Sequence, residues 1–162
     1  MNIIKIDKQL VDKVSPLAAD FRVTLCSYRG IELQPDIEAG REEILGFLEA
    51  GYPVFAAEDN DILTGYIVCR IEKPCLWVEH IYVKNEYRRK GVATLLFEKA
   101  EEIAKAMGED TVYNYVHPNN DGMIQFLRSK GYTVLNLIEI RKPYKKEKLT
   151  TTINVSKNTF DY

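Results

Sequence analysis

Long apolar runs are absent from these 162 residues. No stretch approaches the roughly 20 apolar residues that cross a bilayer. The opening MNIIKIDKQL has neither the apolar core nor the small-residue cleavage site of a secretory leader. Cysteine is scarce: Cys26, Cys69 and Cys75 are odd in number and form no CxxC pair. Free buried thiols in a reducing cytoplasm are therefore expected, rather than disulfides or a metal site. His80 and His117 are the only histidines, which again argues against a metal centre. Neither GxGxxG nor GxxxxGK[ST] occurs, so dinucleotide-binding and Walker-type phosphate sites are excluded. No charge of one sign dominates, with 22 basic and 24 acidic residues and a net charge of -2. Nothing there suggests a nucleic-acid or membrane partner. Internal repeats and low-complexity tracts are also missing.

What is present is ordinary globular composition, 46% hydrophobic and 28% charged. The length suits one core and is short for two. Ile3 to Ile6 reads as a strand. Leu10, Val14, Leu17 and Phe21 fall at helical spacing, with a kink or restart expected at Pro16 and Ser15 as its cap. Asp36 is placed to cap a second helix through Ile44, Leu45 and Leu48, ending near Gly51. Val54 to Ala57, Ile62 to Ile71 and Leu76 to Val83 read as a meander of antiparallel strands, with a turn at Asp59-Asn60-Asp61. Val92, Leu95, Leu96, Ala100, Ile103, Ala104 and Met107 form one helical stripe. Thr111 to Val116 and Thr133 to Ile140 read as strands on either side of a helix holding Ile124, Phe126 and Leu127. This order implies an α/β fold with a mixed sheet and helices on both faces. Residues 1–148 form the expected domain, and 149–162 a C-terminal β extension. That extension reads as a hairpin, or as a strand added to a neighbouring chain in a homodimer.

The chemistry concentrates between Val78 and Leu96: a strand, a short basic loop, and a helix whose first turn holds a glycine and small residues. Such a helix start presents backbone N–H groups without partners, and its dipole favours an anion there. Gly91 allows close backbone approach. Ala93 and Thr94 keep the surface low, while Arg88, Arg89 and Lys90 add positive charge. The pattern describes a pyrophosphate cradle.

Here the sequence resembles a family. Arg88-Arg89-Lys90-Gly91-Val92-Ala93 is similar to the Arg/Gln-x-x-Gly-x-Gly/Ala pattern of GNAT N-acetyltransferases, and it follows a strand ending Ile81-Tyr82-Val83. Asn120 to Tyr132 resembles the family's second motif, an Asn, a helix and then Gly-Phe/Tyr. The resemblance implies a splayed, mostly antiparallel sheet, with acetyl-CoA as acetyl donor and no metal. It implies that backbone groups of Ile81 and Val83 bond the pantetheine arm. Backbone N–H groups from Arg89 to Thr94 would hold the pyrophosphate. Asn120 would bond pantetheine from the other side. Met123 and Leu127, on the same helix face as Asn120, would line the channel.

Acetyl transfer to an amine needs a neutral nitrogen, and only about one alkyl amine in a few thousand is neutral at pH 7. A carboxylate in reach, directly or through water, supplies the base. Glu79 is the candidate, placed by alternation on the strand face of Ile81 and Val83. His80, on the opposite face, reads as packing or a structural hydrogen bond. The family often places a proton-donating Tyr where this chain has Leu127. Tyr115, sharing a strand face with Tyr113 and His117, is the nearest replacement. The reading is an N-acetyltransferase acting on a primary amine of small-molecule or peptide type. The alternative is a catalytically silent acyl-CoA sensor or assembly module.

Overall fold

A computed structural model describes all 162 residues. They form two compact units, Met1–Phe126 and Leu127–Tyr162. The first contains a five-stranded sheet in the order β1 (Asn2–Lys5), β2 (Val54–Asp59), β3 (Ile62–Glu72), β4 (Cys75–Val83), β5 (Tyr113–Asn114). Pairing is antiparallel from β1 to β4 and parallel between β4 and β5. No helix is long and apolar enough to cross a membrane.

Helices α1 (Val11–Ser27) and α2 (Ile37–Glu49) cover one face. Val14, Leu17 and Ala18 of α1 and Ile44 of α2 pack with Tyr66, Val68 and Tyr82 of the sheet. The two helices approach closely because α2 carries Gly40. A Cβ there would lie 2.6 Å from the Ser15 carbonyl oxygen and 2.9 Å from the Ala19 nitrogen, with no room to yield. Asp36 caps α2 as expected, accepting from the Ala39 N–H at 3.0 Å. Pro16 does not break α1, which runs unbroken through it. Ser15 is not a cap: its buried hydroxyl donates back to the Val11 carbonyl at 2.7 Å. Pro16 lies near the start of the helix and loses a bond only to the carbonyl of the exposed Asp12, which water can satisfy.

Helix α3 (Val92–Ala106) covers the opposite face, burying Val92, Leu96, Phe97, Ala100 and Ala104. Its stripe is the one expected from the spacing. Helix α4 (Asp121–Ser129) follows β5.

The second unit holds the end of α4 and a hairpin of β6 (Thr152–Val155) and β7 (Asn158–Asp161). Ser156, at φ 56°, carries its turn, and backbone bonds between Thr151 and Tyr162 close it. The hairpin was expected. The strand expected over Thr133 to Ile140 is not formed, and Val134, Leu135, Leu137 and Ile140 are exposed. This segment is apolar on both faces, so it needs cover on both sides and a paired edge. Its composition supplies strand propensity but no ladder.

Candidate functional site

The site is a fork in the sheet. Strands β4 and β5 pair at only two places, Trp77 with Tyr113 and Val78 with Asn114. The next residues, Glu79 and Tyr115, stand where the strands part.

Beyond the fork, the outer edge of β4 is open. The Lys84 N–H bonds the Thr64 carbonyl at 3.0 Å. Antiparallel alternation then makes Tyr66–Tyr82 and Val68–His80 the pairs that exchange backbone bonds. Backbone groups of Ile81 and Val83 therefore point away from β3, along the edge that β5 has left. The Val83 carbonyl accepts from Arg88 Nε at 2.9 Å.

The chain then turns through a short 3₁₀ segment, Asn85–Tyr87, into α3. Arg89 has φ 62° and Gly91 has φ 83°. No side chain caps the helix at Gly91, and the first amide with a helical partner is Leu95, bonded to the Gly91 carbonyl at 3.1 Å. The N–H groups of Val92, Ala93 and Thr94 are thus left for an anion. A Cβ on Gly91 would meet nothing within 4 Å, so the space above the loop is open. Arg88, Arg89 and Lys90 are exposed around it.

A β-bulge changes the placement of Glu79. Val68 opposes His80 and Cys69 opposes Val78, which leaves Glu79 as the extra residue. Alternation from Ile81 fails there. Glu79 instead joins Arg70, which shares the strand face of Tyr66 and Val68: Arg70 Nε donates to Glu79 Oε2 at 2.9 Å. Glu79 does not share the face of Ile81 and Val83, as simple alternation predicts. Arg70 also pairs with Glu72. Burial works against its charge, but the bonds from Glu72 and Glu79 win and hold it firmly protonated. Tyr113 and Tyr115 share one side, as expected, both against Trp77. The Tyr115 ring stacks on it at 4.7 Å, and Tyr113 lies at 4.8 Å. Tyr115 is 62% exposed.

His80 is structural, as expected. Its Nδ1 lies 2.9 Å from the Tyr66 hydroxyl, and its ring packs on Phe21 and Phe47. Burial pushes it down to about 4. Asn120 Oδ1 accepts from the Met123 N–H at 3.1 Å, capping α4 and leaving its amide donors for other partners. Met123 is half-buried, and Leu127, in the second unit, is buried.

The Acetyltransferase (GNAT) family matches residues 21–132, well over half of the chain. The chain belongs to the GNAT family. The probable N-acetyltransferase san of Drosophila melanogaster is 32% identical over 97 residues, covering 57% of this chain and 53% of that protein. An uncharacterised N-acetyltransferase of Methanocaldococcus jannaschii is 29% identical over 89 residues, covering 48% of this chain and 38% of its own length. The chain thus spans about half the length, or less, of these curated relatives. AAC(6')-Iy, solved with the bisubstrate analogue CoA-S-monomethyl-acetylneamine, matches with a TM-score of 0.69 at 16% identity. That match covers 88% of this chain and 97% of the other. The ribosomal-protein-alanine N-acetyltransferase of Brucella melitensis matches with a TM-score of 0.69 at 15% identity, covering 88% and 99%. These likenesses establish the GNAT fold.

The residues present fit a CoA-type ligand. The open loop at Gly91 leaves room for phosphate, and the fork holds an orphan. Asn114 Oδ1, in the last β5 residue before the fork, is buried without a partner, while its amide donates to the Val112 carbonyl at 2.9 Å. An N–H donor such as a pantetheine amide would satisfy it. The sequence offered no signal for Asn114. Arg70 and Trp77 were equally silent, because their importance comes from a register across β3, β4 and β5.

Proposed function

We propose that this GNAT chain transfers the acetyl group of acetyl-CoA to a primary amine by direct attack within a ternary complex. The observation that carries the reading is the fork: an open β4 edge leading from the uncapped, glycine-started α3 to a carboxyl group and a phenol, Glu79 and Tyr115. Backbone groups of Ile81 and Val83, flanking Tyr82, bind the pantetheine arm. Amides from Arg89 to Thr94, across the loop and helix start, hold the pyrophosphate, with the Arg88 side chain adding positive charge beside them. The Asn120 amide, with Met123, borders the arm from the α4 side. Bound acetyl-CoA supplies an acetyl thioester whose carbonyl carbon accepts the nitrogen lone pair as the C–S bond breaks. Glu79 takes the ammonium proton, directly or through water; the Tyr115 hydroxyl gives one to the departing sulfur, and the phenolate recovers a proton, through water, from the newly acylated nitrogen. A primary amine is the acceptor chemistry common to the aminoglycoside and ribosomal-protein enzymes of the same fold.

The test is ligand-dependent melting followed by thiol release. CoA at about 100 times its dissociation constant adds about 2.7 kcal/mol, or about 5–10 °C in Tm. Gly91→Glu abolishes the shift, because its carboxylate and side chain occupy the phosphate position. The second step is thiol release from acetyl-CoA with spermidine, neamine and a tetrapeptide bearing a free α-amino group. Absence of a shift in the parent protein overturns the donor. A shift without thiol release, across these and wider amine panels, leaves a silent acyl-CoA-binding module.

A further inference from the structure

We infer that Arg70 is a positioning residue for acetyl transfer, holding the Glu79 carboxylate and the Tyr115 ring together at the mouth of the fork. The inference rests on the acetyl-transfer reading above and adds to it a residue outside both family motifs.

Glu79 and Tyr115 come from different strands, and neither contacts the other through the ladder. Arg70, on β3, reaches both. Its Nε bonds Glu79 Oε2 at 2.9 Å. Its guanidinium carbon lies 5.4 Å from the Trp77 ring and 5.9 Å from the Tyr115 ring. Trp77 and Tyr115 are stacked within 13° of parallel. The Arg70 side chain is only 16% exposed, so the contact is held rather than waved in solvent.

The need for such a clamp follows from the bulge. Glu79 has no residue opposite it on β3, so the ladder leaves its side chain unguided. Fixing Oε2 on Arg70 leaves Oε1 as the oxygen offered to the amine. Glu72 on the same guanidinium gives the three side chains a net charge of one negative, which favours an approaching ammonium. Arg70 itself moves no proton, because a guanidinium stays protonated. Its planar donor fork serves Glu79, Glu72 and a ring face at once, which a lysine cannot do.

Thiol release from acetyl-CoA is measured with whichever of spermidine, neamine or the tetrapeptide gives the highest parent rate. Arg70→Gln lowers kcat at least about tenfold, and KM for acetyl-CoA stays within about twofold, because the donor edge is untouched. In a background carrying both Glu79→Gln and Tyr115→Phe the same change costs no more than about twofold further, because a residue acting through these two groups has nothing left to position. Fully multiplicative losses, or a loss confined to KM, overturn the proposal. Trp77 is the only tryptophan in the chain and reports the clamp without turnover. Its quenching by acrylamide increases in Arg70→Gln, and unchanged quenching overturns the clamp. Arg70→Lys covers the case of a misfolded glutamine variant, and parent kcat in it also overturns the proposal. The acetyl-CoA melting shift persists in each variant. Its absence from the parent would bring down the acetyl-transfer reading itself, whereas a normal shift with multiplicative losses brings down only the role of Arg70.

Discussion

Two arginine–glutamate pairs meet neighbouring residues of β4, and their glutamates sit in different environments, although Arg22 is 50% exposed and Arg70 16%. Beside His80, Arg22 Nε and Nη2 bond Glu43 at 3.0 and 2.9 Å, and Glu43 Oε1 lies 3.9 Å from the ring. Beside it in sequence, Glu79 bonds Arg70 at the fork. The Glu43 side chain is 17% exposed and His80 11%, under Phe21 and Phe47 from α1 and α2. Glu79 is 31% exposed, and its arginine is bordered by Trp77, Tyr115 and Glu72. The same pair of side-chain types therefore serves two ends. Closed over by two helices, it holds a neutral imidazole in place. At the parting of two strands, it leaves a carboxylate oxygen open to solvent.

The strongest way to break this comparison is to neutralise each glutamate in turn. Glu79→Gln should lower turnover by about 10²–10⁴-fold near neutral pH, with partial recovery as rising pH supplies neutral amine. Its melting temperature should barely move, because the lost pair is partly solvated. Glu43→Gln should do the reverse, keeping turnover and losing about 1 kcal/mol of stability from its bidentate bond. Steady-state rates and thermal melts of the two variants decide it. Turnover in Glu79→Gln within threefold of the parent across pH 6 to 9 would remove Glu79 from the mechanism.

Acid titration sharpens the closed side. His80 is pushed from 6.5 down to about 4 by burial, against smaller opposing effects of Glu43 and Glu79. The unfolded chain therefore binds this proton more readily than the folded one. Its contribution to stability is complete above about pH 6.5 and is lost as pH falls toward 4. The gap corresponds to about 3 kcal/mol. Tyr66 is held protonated by its own burial, and the ring proton placed on Nε2, facing Glu43, leaves Nδ1 to accept from the Tyr66 hydroxyl. His80→Asn keeps a polar partner near Tyr66 and removes the titration. Denaturant melts at pH 4 and pH 7 should show a smaller difference in that variant than in the parent. An equal difference would mean that His80 is not the group responsible.

The contrast also explains what could be read in advance. The α3 stripe, the Asp36 cap and the β6–β7 hairpin were legible because each is set by residues a few positions apart. The open, glycine-started loop before α3 was legible for the same reason: helix start, glycine and basic residues are contiguous. The face of Glu79 was not, because a bulge is a mismatch between two strands and leaves no mark on β4 alone. Arg70 was invisible because its partners lie on β3, on β4 and just past β5. Pro16 misled because its position near the helix start, rather than its presence, decides whether a helix breaks. Thr133 to Ile140 misled because strand propensity describes side chains, while a strand also needs a neighbour's backbone.

The smallest effect tests the open side at its most exposed point. Under the proposed reading, Tyr115 supplies the hydroxyl that the family often carries where this chain has Leu127. Its ring is held flat on Trp77 at 4.7 Å, so the phenol is positioned although the residue is largely exposed. Tyr115→Phe removes one oxygen and keeps the stack. Turnover should fall at least about tenfold, or about 1.4 kcal/mol in barrier, while the CoA melting shift and Trp77 emission stay close to the parent. The stack is the control: a change in emission would show that the variant disturbed the ring rather than its hydroxyl. Water can also reach this position, so the loss should be smaller than for Glu79→Gln, whose carboxylate acts on an amine that is almost wholly protonated at neutral pH. A rate equal to the parent, with emission unchanged, would assign the sulfur's proton to water and leave Tyr115 as the outer leaf of the aromatic stack.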